Sequence, residues 1–108
     1  MTTTKRKLPS DYLAQGWCQS ALARNTSDES VPVRSPDARA WCLYGAVALV
    51  LFKDGLQTSE SMAIDTWLRS RGYSGWWNDA PSRTQAEVVA VMLEAEAAVL
   101  GRSTEAVP

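Results

Sequence analysis

Residues 40–52 read AWCLYGAVALVLF, a run with neither charge nor proline. Ser35-Pro36 stands before it and Lys53-Asp54-Gly55 after it, and this punctuation predicts one buried helix over residues 36–53. Ser35 can accept from the free N–H groups of a first turn, Pro36 at the first helical position forfeits no hydrogen bond, and Asp37 suits the positive end of the dipole. Lys53 suits the negative end, and Gly55 can close the helix in the left-handed conformation. Ala38, Trp41, Cys42, Gly45, Ala46, Leu49 and Lys53 fall on one helical face, while Leu43, Tyr44, Val47, Val50 and Leu51 make the other apolar too. A helix apolar all round is covered from several sides. The run falls short of the roughly 18–20 residues that cross a bilayer, so it belongs to a core. Gly45 and Ala46 are small enough to let a neighbouring helix cross closely.

The rest of the chain supplies the cover. Residues 1–8 lack apolar periodicity and read as a tail whose Lys5-Arg6-Lys7 cluster is solvated. A first helix opens at Pro9-Ser10-Asp11, with Ser10 as cap and Leu13, Trp17 and Ala21 on its apolar stripe, and fades near Arg24-Asn25. Residues 25–34 form a loop in which Val31-Pro32-Val33 lies extended against the core. A third helix over residues 60–71 carries Met62, Ile64, Trp67 and Leu68 inward and closes at Gly72. Thr84-Gln85-Ala86-Glu87 is a capping box, and the helix it opens runs to Leu100, with Val88, Val89, Met92, Leu93, Ala97 and Leu100 inward. Glu87, Glu94 and Glu96 line its wet edge, and Gly101 ends it. The expected fold is therefore all-α: a single compact bundle of four principal helices over residues 9–101, between an N-terminal tail and a frayed stretch over residues 102–108.

Composition bounds the chemistry. The chain has 108 residues, a net charge of −1, two cysteines, five tryptophans and no histidine. One domain of this size buries roughly two thirds of its unfolded surface. The near-neutral balance gives no general attraction to nucleic acid or an anionic membrane. Without histidine no Ser-His-Asp or Cys-His arrangement can be built, and two cysteines do not close a structural zinc site. We expect no cofactor, no metal and no membrane span. The absence of a signal sequence and of a CxxC pattern points to a reduced, cytoplasmic protein. Cys42, inside the most apolar run, reads as an inert core thiol, and Cys18 as a similar one with some exposure.

Residues 73–83, YSGWWNDAPSR, are the most unusual loop. Asn78 and Asp79 have short side chains suited to forming the turn before Pro81. Arg69, Arg71, Tyr73, Trp76, Trp77, Asp79 and Arg83 make up the candidate binding set. Two adjacent tryptophans in a loop either leave one at the surface or both plug the end of the bundle with the Arg residues solvated; in the first case Tyr, Trp and Arg are the types that dominate binding energy at protein interfaces. The alternatives are a carboxylate enzyme using Asp79, Glu87 and Arg83, and a single-strand nucleic-acid binder that stacks bases on the same rings. The nucleic-acid reading requires a continuous basic surface joining residues 5–7 with Arg69 and Arg71. A helix-turn-helix is disfavoured, because the last helix carries Glu87, Glu94 and Glu96 and no base. Self-association through an exposed Trp and the Ala-rich last helix (Ala86, Ala90, Ala95, Ala97, Ala98) is a further expectation.

Three stretches, GWCQSALAR at 16–24, AWCLYGA at 40–46 and WNDAPSRTQAEVVAVMLEA at 77–95, resemble an uncharacterised family of small bacterial and phage proteins known as a domain of unknown function. The resemblance covers residues 16–95 and implies a fold without implying an activity. Asn25, the loop after it and Ser82 depart from that family's pattern, all in loops. The phage and mobile-element company of the family suggests an inhibitor or modulator of a host machine, of the anti-defence type. The expected role is accordingly a small non-enzymatic module with a protein partner.

Overall fold

The computed structural model describes residues 7–52 and 58–101. The order along the chain is α1 (Pro9–Gln15), β1 (Ala23–Arg24), β2 (Ala40–Trp41), α2 (Leu43–Phe52), α3 (Thr58–Ser70), α4 (Gly75–Asn78) and α5 (Gln85–Leu100). The chain is mostly helical, as expected, but it is not all-α. β1 and β2 pair antiparallel, with Ala23 opposite Trp41 and Arg24 opposite Ala40. Among the helices, α2 and α5 each pack against both α1 and α3. Leu13, Leu43, Val50, Ile64, Leu68, Val88 and Met92 are fully buried between them. Each such side chain contributes roughly 1.5–3 kcal/mol by leaving water.

The central helix starts later than its punctuation suggested. Residues 36–39 are turns and loop, and Ala40–Trp41 is strand. Ser35 Oγ does accept from the Asp37 N–H at 3.1 Å, but it closes a local turn. The helix waits because Arg39 N donates to Arg24 O (2.8 Å) and Trp41 N to Gly16 O (3.1 Å), bonds an α-helix would need for itself. Gly45 admits a close neighbour, yet that neighbour is backbone rather than a crossing helix. A Cβ on Gly45 would stand 2.0 Å from the Leu22 carbonyl oxygen. The expected end of this helix, Lys53 and Gly55, lies outside the described residues.

The first helix is shorter than expected. It stops at Gly16, whose N–H donates to Tyr12 O at 3.0 Å. A Cβ at that position would lie 2.1 Å from Arg39 O, so the chain leaves the helix where it must pass the 39–41 segment closely. Residues 17–24 then run as bends and strand. Ser10 is not the cap: Asp11 Oδ2 accepts from Leu8 N at 2.8 Å. Ser10 is buried and uses both donors on Glu96, N to Oε2 at 2.8 Å and Oγ to Oε1 at 2.7 Å. Glu96, expected at the wet edge of the last helix, is only 3% exposed. It completes the stripe Val88, Val91, Met92, Ala95, Glu96, and both its carboxyl oxygens accept from Ser10 at the start of α1.

The same periodicity explains two further corrections. Met62 is 63% exposed, because Ser61, Ile64 and Leu68 define the inner face of α3 and a residue two places before Ile64 points away. Leu93 is 40% exposed on α5. The Thr84–Glu87 box forms as read, with Thr84 N donating to Glu87 Oε1 at 2.9 Å and Glu87 N to Thr84 Oγ1 at 3.2 Å. Gly72 and Gly101 take the left-handed conformation, with φ of 86° and 70°. Val31 and Val33 pack partly buried against the core, as the loop reading required. Of the alanines expected on an outer face, Ala95 is buried and Ala97 partly so, whereas Ala86, Ala90 and Ala98 are exposed.

Candidate protein-binding surface

The unusual loop contains its own short helix. Ser74 caps α4 by accepting from Trp77 N at 3.3 Å, and the four residues Gly75–Asn78 put the two adjacent tryptophans on different sides. Trp76 is 89% exposed. Beside it lies a shallow hollow of about 500 Å³ lined by Gly75, Asp79, Ala80 and Pro81. Trp77 turns the other way and is half-buried against the core.

Asn78, which follows them, holds this helix in place. It is 1% exposed and every polar atom of its side chain is used. Oδ1 accepts from Trp17 Nε1 at 2.9 Å and from the Leu43 N–H, the first of α2, at 3.0 Å. Nδ2 donates to Cys18 O at 3.2 Å and to Asp79 Oδ1 at 2.9 Å. Gln19 Nε2 adds bonds to the carbonyls of Asn78 (3.0 Å) and Ala80 (2.8 Å), and Asp79 Oδ1 accepts from Ser20 N at 2.9 Å. The three stretches at 16–24, 40–46 and 77–95 therefore meet at one side chain. The turn-forming role expected of Asn78 understated it: this amide ties three distant segments together. The clue in the sequence was a polar amide beside two tryptophans, with Trp17 and Gln19 supplying complementary donors.

Around Trp77 the rings and guanidinium groups interleave. Arg83 lies 3.9 Å over the Trp77 ring and its Nε donates to Trp77 O at 2.8 Å. Tyr73 meets Trp77 edge-on at 4.9 Å between centroids and stacks on Trp67 at 6.3 Å. Arg71 sits 4.7 Å over Trp67, and Arg69 4.6 Å over Tyr44 while paired to Asp65 at 3.0 Å. The Tyr44 hydroxyl donates to the Tyr73 carbonyl. Contacts of this kind contribute roughly 0.5–1 kcal/mol each where exposed. They hold planar groups in fixed positions on the outside of α3 and α4.

The structure thus joins Arg71, Tyr73, Trp77 and Arg83 by ring contacts, ties Arg69 to them through Tyr44 and its hydrogen bond to the Tyr73 carbonyl, and leaves Trp76 outward. Asp79 is engaged by Ser20 and Asn78. Arg83 pairs at 3.6 Å with Glu87, whose carboxyl is held below its ordinary range, chiefly by the Thr84 N–H and further by Arg83. A carboxylate so stabilised in its charged form is a poor general acid. Lys7 lies over the Tyr12 ring at 5.1 Å; residues 5 and 6 lie outside the described residues. Both thiols are buried. Burial pushes Cys18 up to about 11 and raises Cys42 as well, so neither is an activated nucleophile. Among the described residues no cluster of potential metal ligands occurs and no helix is long and apolar enough to cross a membrane.

No curated protein and no solved structure matches this chain. The model of a family of unknown function, DUF6197, matches residues 10–98, a span that contains every partner in the Asn78 network. The chain belongs to that family.

Proposed function

We propose that the protein is a non-catalytic binding module that engages a protein partner through the surface running from Arg69 to Arg83, with Trp76 as its anchor. The observation that carries this reading is the 89% exposure of Trp76 on a helix whose next residue but one, Asn78, is locked by four side-chain hydrogen bonds. A large apolar ring in water is disfavoured in isolation, and holding it on a rigid support lowers the ordering entropy that a partner's binding must overcome. An exposed Trp is the residue type that most often anchors an interface hot spot, and Arg83 and Tyr73 are fixed against its neighbour Trp77. The role proposed is modulation of a host machine, of the anti-defence type suggested by the family resemblance.

The test is affinity capture from host lysate with wild type and a Trp76→Ala variant. Because the Trp76 ring is almost wholly in solvent, this variant should keep its circular dichroism and melting temperature. Trp77 and Arg83 are less suited to the test, since each holds the loop together. Retention of a partner by wild type alone supports the surface, whereas equal retention by both baits removes it.

A further inference from the structure

On the α1 side of the molecule lies a groove of about 730 Å³. Its walls are α1, contributing Tyr12 and Gln15, and the loop before β2, contributing Val33, Arg34, Pro36 and Arg39. Lys7 also lines it, and the buried Trp41 and Leu49 form part of its floor. Among the described residues that line it, three are cations and none is a carboxylate, in a chain whose net charge is −1. This is a local departure from the charge balance of the whole. The volume falls in the range of small-molecule sites, roughly 300–1,000 Å³.

The groove is also built rather than incidental. Arg39 Nη1 donates to Pro36 O and to Ala38 O, each at 2.8 Å, which fixes the plane of its guanidinium. Lys7 is steadied over the Tyr12 ring, and Tyr12 in turn packs edge-on against Trp41 at 5.3 Å. Trp41 Nε1 donates to Val33 O at 3.4 Å, tying the loop wall to the floor. Fixed cations above an apolar floor suit a ligand with a multiply charged head and a flat or apolar body. A phosphate monoester, close to doubly charged at neutral pH, matches several cations better than a single carboxylate does, and a guanidinium fork pairs with phosphate oxygens.

We propose that this groove binds a small phosphate-bearing ligand of nucleotide size, with Arg39 and Lys7 on the phosphate and the body over Trp41 and Leu49. The site is separate from the Trp76 surface, so either can fail without the other.

The experiment is calorimetric titration of the full chain with the nucleoside 5′-monophosphates, the corresponding unphosphorylated nucleosides and inorganic phosphate. Lys7→Gln and Arg39→Gln are titrated alongside. The expected result is saturable binding of at least one monophosphate, weakened roughly tenfold or more by each substitution, as loss of a charge-assisted hydrogen bond requires. Binding should also weaken as salt rises. Lys7→Gln guards against the chance that Arg39→Gln disturbs its own loop. Binding of the nucleoside as tightly as its monophosphate, undiminished binding by Lys7→Gln, or no heat with any monophosphate at millimolar concentration would each overturn the assignment.

Discussion

Replacing Asn78 by alanine removes four hydrogen bonds at a residue that is 1% exposed. Two donors, Trp17 Nε1 and the Leu43 N–H, then face a space where the acceptor stood, and the Cys18 carbonyl loses its Nδ2 partner. An unsatisfied buried donor costs roughly 1–3 kcal/mol, against about 1 kcal/mol for an ordinary net hydrogen bond. The Asp79 bond lies at the solvent edge and adds little. The expected loss is therefore about 3–5 kcal/mol, a large share of the roughly 5–15 kcal/mol that holds a typical domain folded. At about 4–8 °C per kcal/mol for a chain near this size, the melting temperature should drop by about 15 °C or more. Asn78→Asp sharpens the test. It keeps the volume and the acceptor but turns an oxygen toward Cys18 O and the Asp79 carboxylate, so at neutral pH it should be at least as damaging. Denaturant unfolding followed by tryptophan fluorescence, with the slope compared between variants, measures both. A loss below about 1 kcal/mol for Asn78→Ala at unchanged slope would mean that water repairs the site and that this amide is not what fastens α4.

Four other outcomes are expected. Gly45→Ala should cost about 1–3 kcal/mol or more in the same unfolding assay, because its Cβ would meet the Leu22 carbonyl oxygen at 2.0 Å and backbone must move; a neutral result would show that the 17–24 segment yields easily. Ser61→Ala should be neutral or stabilising by about 1 kcal/mol, since the buried Ser61 hydroxyl has no hydrogen-bond partner among the described residues, and a clear loss would reveal a partner for it. Glu87 has a folded pKa below its unfolded one, so its contribution is present above the unfolded value and disappears as pH falls through the folded value. The melting-temperature gap between wild type and Glu87→Gln should accordingly be open at neutral pH and close in acid; a gap independent of pH would contradict the shift. Cys18 and Cys42, both buried with raised pKa values, should react slowly with a thiol reagent at neutral pH until denaturant is added, and rapid labelling of the native protein would count against their burial.

What the sequence disclosed was local. The Thr84–Glu87 box, the left-handed glycines at 72 and 101 and the apolar run from Leu43 onward all report on residues three or four apart, where spacing alone specifies geometry. The two strands escaped notice because each is only two residues long, too short for any alternation to register. Pro36 and Ser35 carry helix-start chemistry but serve a turn, since the long-range bonds of Arg39 and Trp41 outweigh that local preference. Glu96 and Met62 were misplaced for a related reason: residue type suggested one side of the helix and register imposed the other. At the candidate site, the adjacency of Trp76 and Trp77 suggested an outward ring without deciding between that and two rings plugging the bundle end. The depth of Asn78 was not legible, because three of its four partners are 35 to 61 residues away.

Those same separations govern when the binding surface comes into being. Helices close from neighbouring residues, whereas a junction joining residues 17, 18, 43 and 78 must first bring long intervening segments together, an entropic cost that is met only once the helices have docked. The junction should therefore form after the main barrier to folding. Substitutions at Asn78 would then hasten unfolding and leave the refolding rate nearly unchanged, which stopped-flow traces on Asn78→Ala can read directly. The platform beneath Trp76 would be the last part of the molecule assembled and the first released, and a partner that clasps it would slow the unfolding of the whole chain.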